Sequence, residues 1–355
     1  MRALVYDRYG GPEVLEVREM VAPSARRGEV LVKVRAAALN PKDVLLRKGK
    51  LGLLNREPFP RVVGYDWAGE AIAVGPGVEG VRAGDRLFGM IGPWAGGACA
   101  EMCVARVGEL ARAPDGLSPE EAASLPLASL TALQALRDLG HVRAGDEVCV
   151  NGASGGVGTL ALQIAKALGA RVTSVSSERN LELCRSLGAD VTLDYGVDRP
   201  FARPGAYRVL FDVFGKLDFR AVRAALGPGG VFVSTVPSWG IGVATLRTLV
   251  GSSRAQRARL VVVRSRRADL ELVRAWVESG KLRPVVDRVR KLDEGAEAHR
   301  YLETRRARGK VVLRVAGGEG WALYGGLERA FLEGRGGDVA PTKSDEPPVA
   351  KWSNL

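Results

Sequence analysis

Apolar and polar side chains alternate through the first third of the chain. Glu29-Val-Leu-Val-Lys-Val-Arg-Ala has the two-residue period of a strand with one buried face. Gly69–Val74 and Asp85–Met90 predict further short strands, set off by turns at Gly75-Pro-Gly and Arg82-Ala-Gly. Ala38-Leu-Asn-Pro-Lys-Asp-Val-Leu-Leu-Arg-Lys-Gly predicts a loop that enters a short helix. At Ser118-Pro-Glu-Glu the period becomes helical, with Ser118 as N-cap and Pro119 in the first turn, and the helical pattern continues from Leu127 to Leu139. Strand and helix then take turns. Strands are predicted at 148–150, 171–176, 190–195, 207–213, 230–235 and 259–264, with helices over 160–168, near 181–187 and over 268–280. Pro284–Arg290, a helix at 296–302 and a strand at 310–315 read as a return to the first region. The pattern predicts an α/β chain with a β-rich domain over 1–123, completed by 283–315, around a doubly wound parallel-sheet domain over 124–282. Residues 316–355 are rich in glycine and proline and end in mixed charge, which predicts a disordered extension with at most a short amphipathic helix at Trp321–Leu332.

The chemistry is most legible at Glu147-Val-Cys-Val-Asn-Gly-Ala-Ser-Gly-Gly-Val-Gly. A buried strand, a glycine-rich turn and a helix in that order bring bare backbone N–H groups and a positive helix end to a phosphate. Ser154, Gly155, Gly156 and Val157 are therefore expected along a dinucleotide pyrophosphate, with Gly158 allowing close helix–strand packing. The motif departs from G-x-G-x-x-G in having Ala153 at its first position. The next strand ends at Ser177-Glu-Arg, where an acidic residue about 20 residues on would bind the ribose 2′-hydroxyl of NAD. Ser177 leaves room for a 2′-phosphate and Arg179 offers it charge-assisted bonds, so the expected cofactor is NADPH. Glu178 turned inward would reverse that preference.

Composition narrows the setting. The chain has 355 residues, 46% of them hydrophobic, enough for a large core. No apolar run approaches the ~20 residues that span a bilayer. The first residues read directly as a strand, not as a signal peptide, and the cysteines at 99, 103, 149 and 184 all fall in apolar patterns. A cytoplasmic protein with reduced core thiols is expected. The formal charge of +12 is spread among acids and is densest at Arg254, Arg257, Arg259, Arg264, Arg266 and Arg267. No RNA- or DNA-binding signature accompanies it, so attraction of an anionic cofactor is the simpler reading.

Several motifs together resemble the medium-chain dehydrogenase/reductase superfamily over residues 1 to about 315: Gly64-Tyr-Asp-Trp-Ala-Gly, Gly84-Asp-Arg-Leu-Phe-Gly, Asn151-Gly-Ala-Ser-Gly-Gly-Val-Gly, Ser186-Leu-Gly-Ala-Asp, Asp194-Tyr and Ala307-Arg-Gly-Lys-Val-Val-Leu. Asn-Gly-Ala-Ser-Gly-Gly-Val-Gly with Arg179-Asn-Leu-Glu-Leu is most similar to the quinone oxidoreductase branch, whose bacterial proteins often carry a zinc-type alcohol dehydrogenase-like label. The resemblance implies a GroES-like first domain, a Rossmann second domain and a homodimer joined at the nucleotide-domain sheet edge, for which Leu260–Val263 is the apolar candidate.

It also frames the metal question. Zinc alcohol dehydrogenases hold their ion with cysteine, histidine and cysteine. Here those positions carry Asn40, Tyr65 and Leu127, and the four-cysteine structural lobe is missing. The only histidines, His141 and His299, are placed as surface or packing residues, so no metal is expected. Without a Lewis acid an unactivated alcohol is a poor hydride donor, whereas a quinone or α,β-unsaturated carbonyl absorbs the charge itself. Asn40 is expected to donate to the acceptor carbonyl and Tyr65 to protonate the product, with Lys42 as the alternative, stabilising the oxyanion, and solvent as a further proton source; Asp43 and Asp66 are expected to organise the loop. Thr131 matches a helix threonine near the nicotinamide and fits equally a side chain bonding its own backbone. Tyr195 matches a cofactor-contacting tyrosine, and a tyrosine ending a strand also fits ordinary packing. Two other readings stay open: a 2-enoyl thioester reductase, and a catalytically inactive NADPH- or RNA-binding protein.

Overall fold

A computed structural model describes residues 1–50, 58–92, 96–237, 241, 242, 245 and 255–315. In chain order the strands of the first part are β1 (Arg2–Tyr6), β2 (Glu16–Glu19) and β3 (Glu29–Leu39), followed by helix α1 (Pro41–Arg47). Then come β4 (Arg61–Val62), β5 (Asp66–Val74), β6 (Arg86–Met90), β7 (Met102–Arg106) and β8 (Leu110–Arg112). Helices α2 (Pro119–Ala123) and α3 (Pro126–Leu133) lead into the second part. There β9 (Glu147–Asn151), α4 (Gly156–Ala167), β10 (Arg171–Ser176), α5 (Leu181–Ser186), β11 (Val191–Asp194), β12 (Tyr207–Asp212), α6 (Phe219–Val222), β13 (Leu226–Ser234) and β14 (Arg257–Leu260) follow one another. Helix α7 (Arg267–Glu278), β15 (Val286–Lys291), α8 (Gly295–Glu303) and β16 (Lys310–Arg314) close the described chain.

The second part forms a six-stranded sheet in the order β11-β10-β9-β12-β13-β14, with every pairing parallel. Parallel pairing buries both faces, which explains why β9 and β12 read as near-continuous apolar runs. The first part builds a seven-stranded sheet, β15-β16-β3-β5-β6-β8, with β7 also on β3, and a three-stranded sheet, β2-β1-β4. Strand β3 is long enough to serve two neighbours along one edge: Glu29–Lys33 pair with β7 and Ala36–Leu39 pair with β16. The end of the described chain thus hydrogen-bonds to the first region. β16 inserts between β15 and β3, parallel to one and antiparallel to the other.

Helix α3 joins the two sheets. All eight of its residues are buried, and Leu127, Leu130 and Leu133 share one core with Tyr65, Phe88 and Met90 of the first part and Val148, Leu160 and Ile164 of the second. A helix that is apolar all round is one buried on every side. The N-terminus of α2 is set by reciprocal caps, Glu121 N–H to Ser118 Oγ at 3.3 Å and Ser118 N–H to Glu121 Oε2 at 2.9 Å. The strand expected at 259–264 lies earlier, at 257–260; Val261 is buried, but Val262 is 61% exposed. Leu260 alone of the apolar candidates therefore belongs to the sheet's outer strand. His299, expected at the surface or in packing, is fully buried, and burial beside Arg47 lowers its pKa to about 3. The expected disorder of 316–355, and the short helix within it, fall outside the described residues.

Candidate active site

The glycine turn is built as its composition requires. Gly155 is the N-cap of α4 and carries no side chain to cap it, so the N–H groups of Gly156, Val157 and Gly158 in the first turn keep no intrahelical partner. A Cβ on Gly158 would lie 2.2 Å from Gly152 O and 2.7 Å from Ala153 Cα, so helix and turn touch through bare backbone. Gly152 has φ +81°, a left-handed conformation that favours glycine. Ala153 is buried under the turn, which explains why an alanine is tolerated there. Beyond the turn, Asn180 donates to Ser154 Oγ at 2.9 Å and to Ser177 Oγ at 3.1 Å, while its own Oδ1 is buried and has no partner among the described residues. Sequence reasoning missed Asn180. Arg179 beside it is exposed, and Tyr195, 67% exposed, is tied to the same strand end through its backbone N–H to Ser176 O at 3.1 Å. Ser154, Ser177, Arg179 and Tyr195 thus flank the end of β10 that follows the turn. A dinucleotide fits this edge: unused amides, backbone left bare by glycine, and an orphaned polar oxygen.

On the other side lies Asn40, the N-cap of α1. Its backbone N–H donates to Asp43 Oδ2 at 2.7 Å, and Asp43 N–H returns to Asn40 O at 2.9 Å. Helix α1 is anchored at its far end, where Arg47 pairs with Glu303 and Lys48 Nζ lies 2.8 Å from the same carboxylate. The Asn40 side chain is 2% exposed. Its Nδ2 donates to Asp66 Oδ2 at 3.0 Å and to Ala38 O at 3.3 Å, and its Oδ1 accepts from Lys310 Nζ at 2.6 Å. Both amide hydrogens are therefore committed inside the protein, and Asn40 organises the loop where the sequence pointed to a donor for the acceptor carbonyl.

Asp66, fully buried, completes the set: Oδ2 accepts from Lys310 Nζ at 2.9 Å and Oδ1 from the Leu127 N–H of α3 at 2.7 Å. Lys310 is the residue that sequence reasoning missed here. Its only signal was the Gly-Lys pair before the last strand. Tyr65, 1% exposed, forms a wall, and Lys42 Nζ stands 3.9 Å above its ring centre. Burial lowers the Lys42 pKa to about 8. Burial, with Asp66 nearby, raises Asp43 to about 7, and Asp43 Oδ1 has no hydrogen-bond partner among the described residues. A small cavity lies against these groups, lined by Tyr6, Asp43, Arg61, Gly64, Tyr65 and Gly96. Thr131 donates to Leu127 O at 2.7 Å, so its hydroxyl bonds its own helix and can only accept a further bond.

A zinc ion does not fit these residues. The three positions that hold the ion in zinc alcohol dehydrogenases offer an amide already saturated by Lys310 and Asp66, a buried phenol and a leucine, and an ammonium already balances Asp66. Cys99, buried near by, is held as a thiol, its pKa pushed up by burial and by the Asp43 and Asp66 carboxylates.

Residues 26–115 match the alcohol dehydrogenase GroES-like domain family and residues 187–313 the zinc-binding dehydrogenase family. The chain is 36% identical over 324 residues to the tomato (Solanum lycopersicum) 2-methylene-furan-3-one reductase, covering 88% of this chain and 79% of that one. It is 37% identical over 328 residues, with the same coverage, to the chloroplastic NADPH-dependent alkenal/one oxidoreductase of Arabidopsis thaliana. The solved quinone oxidoreductase of Coxiella burnetii superposes with a TM-score of 0.81 at 33% identity, over 89% of this chain and 99% of that one. The chain belongs to the medium-chain dehydrogenase/reductase superfamily. Within it, the relatives are quinone and alkenal oxidoreductases, and this protein is an oxidoreductase of the same fold, a GroES-like domain joined to a Rossmann sheet.

Proposed function

We propose that this chain is an NADPH-dependent reductase of quinones or α,β-unsaturated carbonyls that works without zinc. The observation that carries this reading is the buried Lys310 ammonium on Asn40 and Asp66, beside an open glycine turn: a dinucleotide edge next to a cation made by the protein itself. NADPH, when bound, supplies hydride to an electron-poor acceptor whose own carbonyl takes up the charge. Gly156, Val157 and Gly158 bind its pyrophosphate, and Ser177 and Arg179 its 2′-phosphate, with Tyr195 at the rim. The names of the tomato and Arabidopsis relatives favour the same substrate class and, for the second, the same cofactor.

The proton follows a different route from the one the sequence suggested. Tyr65 is enclosed, whereas Lys42 is half-buried and has a pKa near 8. A general acid works best when its pKa lies near the working pH, so Lys42 is the proton donor and oxyanion partner, and the Tyr65 ring holds its ammonium in place. Asp43, near neutrality, braces the turn. Outer strand β14 supports a homodimer through the parallel sheet edge, and among the described residues no helix is long and apolar enough to cross a membrane; a cytoplasmic dimer is the form we propose. Following NADPH and NADH oxidation by absorbance with a panel of quinones and enones, with and without a chelator, tests the proposal. Turnover with NADPH that ignores the chelator is expected, and turnover abolished by the chelator would overturn the metal-free reading.

A further inference from the structure

Lys310 belongs to neither half of the molecule alone. Its stem lies across Gly156, where an added Cβ would come within 2.8 Å of Lys310 Cδ. The residue before it, Gly309, donates to Ser154 O at 3.0 Å and pairs with Gly155 as an isolated parallel bridge. Gly309 has φ +101°, and a Cβ there would stand 2.2 Å from Val285 O, so the backbone conformation that brings its N–H to Ser154 needs a residue without a side chain. At the other end the ammonium holds Asn40 and Asp66. Through Asp66 it reaches the first turn of α3, and through Asn40 it reaches the turn that carries Lys42 and Asp43. Lys310 is 5% exposed and Asp66 fully buried, so the two charges move together; stranding either inside the protein is too costly.

We propose that Lys310 is a positioning residue that couples occupancy of the glycine turn to the affinity of the acceptor site. The inference rests on the function proposed above. A pyrophosphate on residues 154–158 orders the Ser154 carbonyl and hence Gly309. That fixes the lysine stem over Gly156, and the ammonium then holds Asn40 and Asp66 in register with Lys42. Such coupling is reciprocal: an acceptor that finds the turn ordered must also tighten the cofactor by the same factor.

The test measures binding of 1,4-naphthoquinone to the full chain with and without saturating NADP+, which cannot reduce it. In the unmodified protein NADP+ is expected to tighten the quinone by about fivefold or more. In the double variant Lys310→Met/Asp66→Asn, which removes both charges and strands neither, the factor is expected to fall to about 1, with each ligand still binding alone and unfolding still cooperative. Lys310→Gln combined with Asp66→Asn, which keeps a donor at position 310 and likewise strands no charge, provides a second reading of the same factor and is expected to lower it. A factor unchanged in both variants overturns the proposal. So does an unmodified protein that reduces quinones with NADPH yet shows no coupling; that result leaves the proposed function standing. An unmodified protein that binds no NADP+ overturns the function itself and this inference with it.

Discussion

The two sides of the site are made in opposite ways. The dinucleotide side is defined by what its residues lack: the N-cap Gly155 has no side chain to cap α4, Gly156 has no Cβ where the Lys310 stem crosses, and Gly158 none where helix and turn backbones meet. The acceptor side is defined by internal bonding, with the Asn40, Asp66 and Lys310 side chains held by one another and by the Ala38 and Leu127 backbone, and Asp43 Oδ2 by the Asn40 N–H. A ligand gains from the first side by filling unused amides, and from the second through the half-buried Lys42 over the Tyr65 ring. The difference teaches that binding and chemistry respond to different substitutions.

The largest effect is expected on the bare-backbone side. Gly158→Val should collapse the helix–turn contact, costing about 3 kcal/mol or more and lowering the melting temperature by about 5 °C or more, or preventing soluble expression. An unchanged melting curve would break the claim that close approach governs this side. On the acceptor side, Lys42→Met should lower kcat about 100-fold with little change in NADPH affinity, and should abolish the decline in turnover above pH ~8 that deprotonation of Lys42 imposes. A surviving alkaline limb, read from a pH–rate profile, would remove Lys42 from proton transfer. Arg179→Ala should raise the Kd for NADPH about tenfold and leave that for NADH unchanged, as loss of a charge-assisted bond to the 2′-phosphate requires.

Asp43 sharpens the comparison through stability. Its folded pKa, about 7, lies above the unfolded value, so the folded state binds the proton more tightly. The stabilisation is full below about pH 4 and is lost as pH rises through 7. Asp43→Asn should flatten that slope, and melting temperatures measured across this range would reveal it. The smallest effect is expected for Tyr195→Ala, less than about twofold in NADPH affinity, because so exposed a side chain loses little in being removed.

How much of this could be read from the sequence follows from the same contrast. The parallel sheet, the glycine turn and the return strand are local patterns: apolar runs, glycines at fixed offsets, and a strand period at 310–315. That Asn40, Lys42 and Tyr65 share one neighbourhood was implied by their motifs. The bonds that set their roles did not. Lys310 reaches Asn40 across 270 positions and Asp66 across 244, and nothing near any of the three announces the others. Asn180 escaped for a related reason: an asparagine after a strand signals a turn, and only the fold shows it bridging two serines. The outer strand at 257–260 was displaced because the apolar run Leu260–Val263 looked like its centre, whereas the sheet uses the arginine-rich residues before it.

Strand β16 bears on how the chain is made. It is the last described strand, and it sits inside the seven-stranded sheet rather than on its edge, between β15 and β3. During synthesis β3 emerges about 270 residues before its partner. For that interval Ala36–Leu39 present an unpaired strand edge, the kind of surface that pairs with other chains. The ribosome must finish residue 314 before the first domain can close, so a chain released early would carry a complete Rossmann sheet beside an unfinished, aggregation-prone one.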